Sequence, residues 1–394
     1  MELIKTSYDM KPGTTVLMGN EAMVEGALAA GCRFFAGYPI TPQNDVPQRM
    51  SERLPQLGGR FIQMEDEIGS IAAVIGASFA GLKAMTSTSG PGFSLMQECM
   101  SWAACVEVPL VVCDVQRTGP GSGIVSLPHH SDILQAHYGG NGEYQVIAYA
   151  PSNAQELFDF TIDAFNDSET WRVPAIVFSD SWLGHIFEQV IIPTPEELKE
   201  RVIKRKIYQG EPKDYLPFTH KKGDEFIIPE PPKLGENTFP DWLPSVSHGP
   251  NSIATEDSDV SFKMVEAVND KILKNEDKIV KTKSILMEDA EIAVIAYGLP
   301  SRPALRAISK AREEGIKVGL LRLLTVWPFP QKTIEELSKK INKLLLIEIN
   351  WGQLLPYVKA SSGCETGTEV SFLCEISKLH EPSQILKKIK ELAQ

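Results

Sequence analysis

The sequence predicts an α/β protein: a parallel sheet with helices on both faces, followed by a second, smaller α/β unit. Three observations carry this. Short β-branched or aromatic runs alternate with longer helical patterns up to about residue 204, the signature of strand–helix–strand units. One run, VPLVVCDV at 108–115, is apolar without alternation, which suits a strand buried on both faces. The pattern lapses over 207–283 and returns from residue 287.

In chain order, the first unit predicts strands at 33–36, 84–88, 108–115 and 173–178, each a β-branched or aromatic run. Helical patterns fall between or after them at 19–30, 65–80, 92–106 and 153–166. The stretch 207–283 has prolines clustered in PEPPKLGENTFPDWLP and charges without a clean period. It is too long for a simple linker, so it is expected to wrap a surface of this protein or of a partner. Within it, 259–275 reads as a helix with a mixed charged face. The second unit predicts strands at 292–296, 317–321 and 343–347, with helices at 303–314, closed by Gly315, and at 335–341. The resulting division is 1–205, a connecting segment 206–284, and 285–394.

Composition removes several functions. The 394 residues carry 39 basic and 51 acidic side chains, a net charge of −12. That surplus argues against nucleic acid or an anionic membrane as a partner, since both need a basic face. No apolar run reaches the roughly 18–20 residues of a membrane span, and residues 1–11 lack a basic start followed by an apolar core. The expectation is a cytoplasmic protein. The six cysteines (Cys32, Cys99, Cys105, Cys113, Cys364 and Cys374) form no CxxC and no zinc-finger spacing. Cys32, Cys99, Cys105 and Cys113, among apolar neighbours, are expected to be buried reduced thiols, and no iron–sulfur cluster is expected on this chain alone.

Four motifs could carry chemistry. GYPITP at 37–42 places Thr41 between two prolines on a stiff loop after a strand end, where such folds bind ligands. QMEDEIG at 63–69 opens an apolar helix with three acids; a plain reading gives them to the helix dipole. Glu67 differs because it leads onto a small-residue face (Gly69, Ala72, Ala73, Gly76, Ala80) expected to pack against another backbone. A carboxylate held there would be desolvated, with a raised pKa. TSTSGPG at 86–92 joins a strand to a helix, and its amides and hydroxyls could cradle a polar ligand. It is neither a P-loop, nor a dinucleotide fingerprint, nor GxSxG. Arg117, ending the apolar strand in VQRTGPGSG, is placed to fork onto a carboxylate. His129 and His130 follow; adjacent histidines make a poor metal pair, but one could face a pocket.

In that order and at those spacings, the four motifs resemble the α subunit of the thiamine diphosphate-dependent 2-oxoacid:ferredoxin oxidoreductases. LLRLLTVWPFP followed by LLLIEINWGQL resembles the family's second domain. The resemblance implies a thiamine-binding-fold pyrimidine domain plus a transketolase-C-like domain. It implies oxidative decarboxylation of a 2-oxoacid with coenzyme A, giving acyl-CoA, CO2 and reduced ferredoxin. Thiamine diphosphate would be shared with a β subunit holding the diphosphate and Mg²⁺, since no GDG…N signature occurs here. Iron–sulfur clusters would sit on partner chains, and this chain would be inactive alone. Carried over by position, Glu67 is the glutamate that contacts the aminopyrimidine and promotes formation of the nucleophile. Thr41 and Arg117 bind substrate, and Tyr38, Pro39, Ile40, Thr41, Glu67, Ser89 and Gly90 line the cofactor.

Two departures bear on substrate. Gln43, Asn44 and Asp45 replace the frequent Ser-Ser-Glu. SLPHH at 126–130 stands where chains resembling the 2-oxoglutarate enzymes often read TKTEQ. The loss of that lysine removes a partner for a distal carboxylate, unless His129 or His130 is protonated. The expected substrate is 2-oxoglutarate, with a branched-chain 2-oxoacid second. A non-catalytic scaffold and a nucleotide-binding protein are the readings from other classes.

Overall fold

The computed structural model describes residues 8–222, 225–231, 244–363 and 367–394. Cys364, residues 1–7 and most of the proline cluster lie outside the described residues.

Two sheets organise the chain. The larger runs from Arg60–Gln63 through Phe34–Gly37, Ala84–Thr88, Leu110–Gln116 and Pro174–Asp180 to Ile147–Tyr149, all parallel. Thr325–Trp327, from far downstream, then pairs antiparallel with Ile147–Tyr149 and closes that edge. Strands Ala84–Thr88, Leu110–Gln116 and Pro174–Asp180 are buried along their whole length, as central strands covered on both faces must be. The four strands expected in the first unit are present. Arg60–Gln63 and Ile147–Tyr149 escaped the pattern: the first is an edge strand with little burial, the second only three residues. Gly13–Met18 and Phe187–Ile192 form a separate antiparallel ribbon.

Helices Gly19–Ala29 and Ala154–Trp171 cover one face of the sheet, and Glu67–Phe79 and Pro91–Cys105 the other. The second sheet orders Thr282–Ile285, Val318–Leu323, Ile292–Tyr297, Lys343–Glu348 and Glu369–Cys374, with only its first strand antiparallel. A single apolar core runs between the sheets, taking Phe93, Met96 and Ile133 from one and Tyr297, Trp327 and Leu354 from the other. Trp327 is anchored there by its indole N–H, which donates to the Ile133 carbonyl at 2.6 Å.

Where it is described, the connecting segment lies on this chain's own first unit up to helix Ser258–Leu273, and its end joins the second sheet as strand Thr282–Ile285. Arg172 donates to the carbonyls of Pro217 (2.7 Å) and Pro229 (3.1 Å), and the Trp102 indole to that of Pro244 (3.2 Å). Helix Ser258–Leu273 is pinned by a buried ionic knot. Lys271 Nζ, fully buried, donates to Glu107 Oε2 and to the Arg172 carbonyl, both at 2.8 Å, and His220 Nε2 meets Glu107 Oε1 at 2.8 Å. Burial pushes Glu107 up, but Lys271, then His220 and Arg172, outweigh it and hold the carboxyl well below the usual range. Lys271→Leu removes the largest of Glu107's three cationic partners from a buried carboxylate and leaves only His220 and Arg172, so a loss of up to about 3–5 kcal/mol is expected. Glu107's folded pKa lies below its unfolded one, so its stabilisation is present above the ordinary glutamate range and lost as pH falls. Denaturant melts at pH 7 and at pH 3 therefore separate wild type and Lys271→Leu widely at the first and less at the second.

Candidate active site

Four neighbouring parallel strands end at one rim of the large sheet, and each delivers one of the singled-out motifs there. Phe34–Gly37 leads into the GYPITP loop, Arg60–Gln63 into Glu67, Ala84–Thr88 into Ser89–Gly90, and Leu110–Gln116 into Arg117. The carboxyl ends of the strands thus gather residues far apart in sequence into one cleft.

The GYPITP loop is held by its own backbone carbonyls. Gln43 Nε2 donates to Tyr38 O (2.9 Å), Arg117 Nη1 to Thr41 O (2.6 Å) and Asn20 Nδ2 to Pro42 O (3.1 Å). Gln43 is in turn fixed by Ser87, whose hydroxyl donates to Oε1 at 2.5 Å. Tyr38, Pro39 and Thr41 are left exposed and Ile40 half-buried among the described residues.

Glu67 is 4% exposed, whereas Glu65 and Asp66 face solvent. The helix is capped by Asp66, whose carboxylate accepts from the Gly69 amide at 2.7 Å, so Glu67 is not needed as a cap. Burial raises the Glu67 pKa, and the charge of Asp66 adds to this. Its own backbone amide and Arg117 act the other way. The carboxyl lies against the start of the next helix, where a Cβ added at Gly92 would stand 2.3 Å from Glu67 Oε1 and 2.2 Å from Thr88 Oγ1. Gly92→Ala is therefore expected to displace the carboxyl and cut activity at least tenfold while the chain remains folded. Circular dichroism alongside turnover checks this.

The reason given for Glu67's burial needs correction. Ala72, Gly76 and Ala80 are exposed, and among the described residues nothing comes within 4 Å of a Cβ built at Gly76. The helix buries its branched side instead, Ile71, Val74, Ile75 and Phe79. Glu67 is desolvated by the neighbouring helix start.

Arg117 is 5% exposed. Nη1 is spent on Thr41 O, while Nε is buried with no protein partner. The hydroxyls of Thr86, Thr88 and Ser89 are likewise buried and unpartnered. Buried donors are rarely left so. A bound polar group fits this rim: a buried carboxyl of raised pKa, orphaned hydroxyls and an arginine with an unused N–H. Thiamine diphosphate matches that donor set at Glu67 and Ser89, and a 2-oxoacid carboxylate matches it at Arg117.

Two acids missed from sequence lie directly behind. Asp114 and Asp132 are buried facing each other, with three of their oxygens unpartnered by any hydrogen-bond donor. Burial first, and then the charge of Asp132, raise Asp114 far above the usual carboxylate range. A single acid inside the apolar run VVCDV was the available signal.

The histidines do not join Glu67 and Arg117. His129 is buried and its pKa is pushed down to about 4 by burial and by His130, so it is neutral at pH 7. His130 stacks on Tyr297 (ring centroids 5.1 Å apart) and meets Asp180 Oδ2 at 3.4 Å, between the two sheets. It serves the contact between the units.

Among the described residues no helix is long and apolar enough to cross a membrane, and Cys32, Cys99, Cys105, Cys113 and Cys374 are free.

Comparison with known proteins places the chain in a family. A family model described as the thiamine diphosphate-binding part of pyruvate flavodoxin/ferredoxin oxidoreductase matches residues 25–267. A model of pyruvate:ferredoxin oxidoreductase core domain II matches residues 290–379. The 2-oxoglutarate synthase subunit KorA of Methanothermobacter marburgensis is 43% identical over 376 residues, covering 95% of this chain and 97% of that one. The ketoisovalerate oxidoreductase subunit VorB of the same organism is 34% identical over 385 residues, covering 96% and 98%. The solved 2-oxoglutarate:ferredoxin oxidoreductase from Magnetococcus marinus, with 2-oxoglutarate, coenzyme A and succinyl-CoA bound, is similar at a TM-score of 0.89 and 29% identity. That match covers 97% of this chain and 66% of the other. With both sheets matched and relatives alike from end to end, the chain belongs to the thiamine diphosphate-dependent pyruvate flavodoxin/ferredoxin oxidoreductase family.

Proposed function

We propose that this chain is the α subunit of an oxidoreductase that converts 2-oxoglutarate and coenzyme A to succinyl-CoA and CO2. The observation that carries the reading is the pairing, at one strand-end rim, of a buried raised-pKa glutamate with an arginine whose Nε is unspent. The balanced step is R–CO–COO⁻ plus CoA–SH giving R–CO–S–CoA, CO2, one proton and two electrons. Thiamine diphosphate, when bound, supplies the nucleophilic carbon and the electron sink for decarboxylation.

This chain's residues do the rest. Glu67, whose burial favours the protonated carboxyl more than in water, presents that carboxyl into the cleft, where it can share a proton with a ring nitrogen. Arg117 uses its remaining N–H groups to fork the substrate carboxylate and orients it. Thr41, exposed at the rim, offers its hydroxyl to the substrate's oxygens, and its backbone is held by the same arginine. Tyr38, Pro39, Ile40, Ser89 and Gly90 complete the wall. The diphosphate and Mg²⁺ belong, in this reading, to a β subunit. Iron–sulfur clusters on partner chains take the two electrons one at a time to ferredoxin.

A branched-chain 2-oxoacid is the second reading. It is favoured by the burial that lowers the His129 pKa and by the absence of lysine at 126–130, which remove two candidate cations for a distal carboxylate. Anaerobic viologen reduction by the co-purified complex, with 2-oxoglutarate, 2-oxoisovalerate and pyruvate side by side, tests both. A kcat/KM highest for 2-oxoglutarate supports the first reading. A preference for 2-oxoisovalerate replaces it with the second.

A further inference from the structure

The second unit reaches back to the segments that flank Arg117. At the start of the exposed loop after it, Thr118 Oγ1 and Ser377 Oγ lie 2.7 Å apart. At the loop's return the grip is stronger. The His130 amide donates to Ile349 O (3.0 Å), and Asn350 Nδ2 to His130 O (3.1 Å). Gln353 takes hold on both sides of the next turn: Nε2 donates to Ser131 O at 2.6 Å, and Oε1 accepts from the Leu134 amide at 2.9 Å. Ser131 completes the path, because its hydroxyl donates to the Arg117 carbonyl at 2.9 Å. Asn350, the neighbour of this grip, is itself fixed in a buried cluster with Glu348 and the Tyr297 hydroxyl, so the second unit presents a rigid jaw.

We propose that Gln353 is a positioning residue for Arg117, acting through Ser131. The second unit thereby sets how tightly the site holds the substrate carboxylate. The inference rests on the proposed role of Arg117. The physical reason is geometric: a carboxylate fork tolerates little displacement of the guanidinium, and the arginine's own backbone is fastened by a bond whose far end is anchored by Gln353. Residues 120–126 between the two grips are exposed and make no such bonds, so the grips alone fix the ends.

Gln353→Leu keeps the side chain's bulk and removes both hydrogen bonds. Gln353→Glu keeps an acceptor for the Leu134 amide and loses the donor to Ser131 O. In the co-purified complex, both variants are expected to raise the KM for the 2-oxoacid about tenfold with kcat within about twofold. The KM for coenzyme A should not move. Ser131→Ala is expected to act in the same direction, and the Gln353→Leu/Ser131→Ala double variant to add little to either. Additive effects, an unchanged oxoacid KM, or a loss of kcat in proportion to melting temperature would each overturn the proposal.

A readout independent of turnover keeps this separate from the function itself. Phenylglyoxal modification of Arg117, followed by peptide mass spectrometry, is expected to run about fivefold faster in Gln353→Leu and in Ser131→Ala. Equal rates in all three chains overturn the clamp even if the wild-type complex is active. Faster rates with no oxoacid turnover in the wild type sustain the clamp and overturn the proposed function.

Discussion

Glu67→Gln is expected to lower kcat by roughly 10²–10⁴-fold, the usual worth of a positioned acid–base group. The amide is nearly isosteric, so it preserves the contact with the Gly92 helix start but cannot hold or exchange a proton. Stability should move the other way. The folded carboxyl has a pKa above its unfolded value, so the folded state binds the proton more tightly. That contribution is fully present below the ordinary glutamate range and is lost as pH rises toward the folded value. At neutral pH and above the variant should therefore melt no lower than wild type, and the gap should close in acid. Melting curves across pH, beside viologen reduction, check the pair of outcomes. A variant that loses stability in step with activity would mark Glu67 as an ordinary core polar group.

Arg117→Lys is expected to raise the 2-oxoacid KM about ten- to a hundredfold, from the 1.5–3 kcal/mol of a hydrogen bond to a charged group. Lysine keeps the charge but cannot fork, and one ammonium cannot serve both Thr41 O and a carboxylate. A smaller fall in kcat should accompany it, because the GYPITP loop loses one of the three side-chain bonds to its carbonyls. Steady-state kinetics with varied oxoacid reads both. An unchanged KM would remove Arg117 from the substrate site.

Much of this site was legible because the fold converts sequence order into geometry. Each motif follows a strand, parallel strands end together, and so GYPITP, Glu67, the Ser89 turn and Arg117 had to meet. The strands that could be read were those with continuous burial, such as Leu110–Gln116. Arg60–Gln63, which delivers Glu67, could not be read, since an exposed edge strand carries no apolar pattern. Glu67 was singled out by a resemblance and by a small-residue face that turned out to look outward; which of three consecutive acids is buried depends on the neighbouring helix. The Asp114–Asp132 pair was hidden because a facing partner from a later loop is not encoded near either residue. His130 was ambiguous for the same reason: its surroundings, Tyr297 and Asp180, come from two other segments.

The closing of the large sheet by Thr325–Trp327 has a consequence for how the protein is made. Ile147–Tyr149 emerges from the ribosome about 10–35 s before its partner, at about 5–20 residues per second. During that interval an apolar strand presents unpaired backbone groups on one side, a template for association with other chains. The nascent first unit therefore needs shielding until the C-terminal third arrives. A chain cut short of Thr325 would keep that sticky edge permanently, and its solubility would fall although every strand that carries the active site had been synthesised.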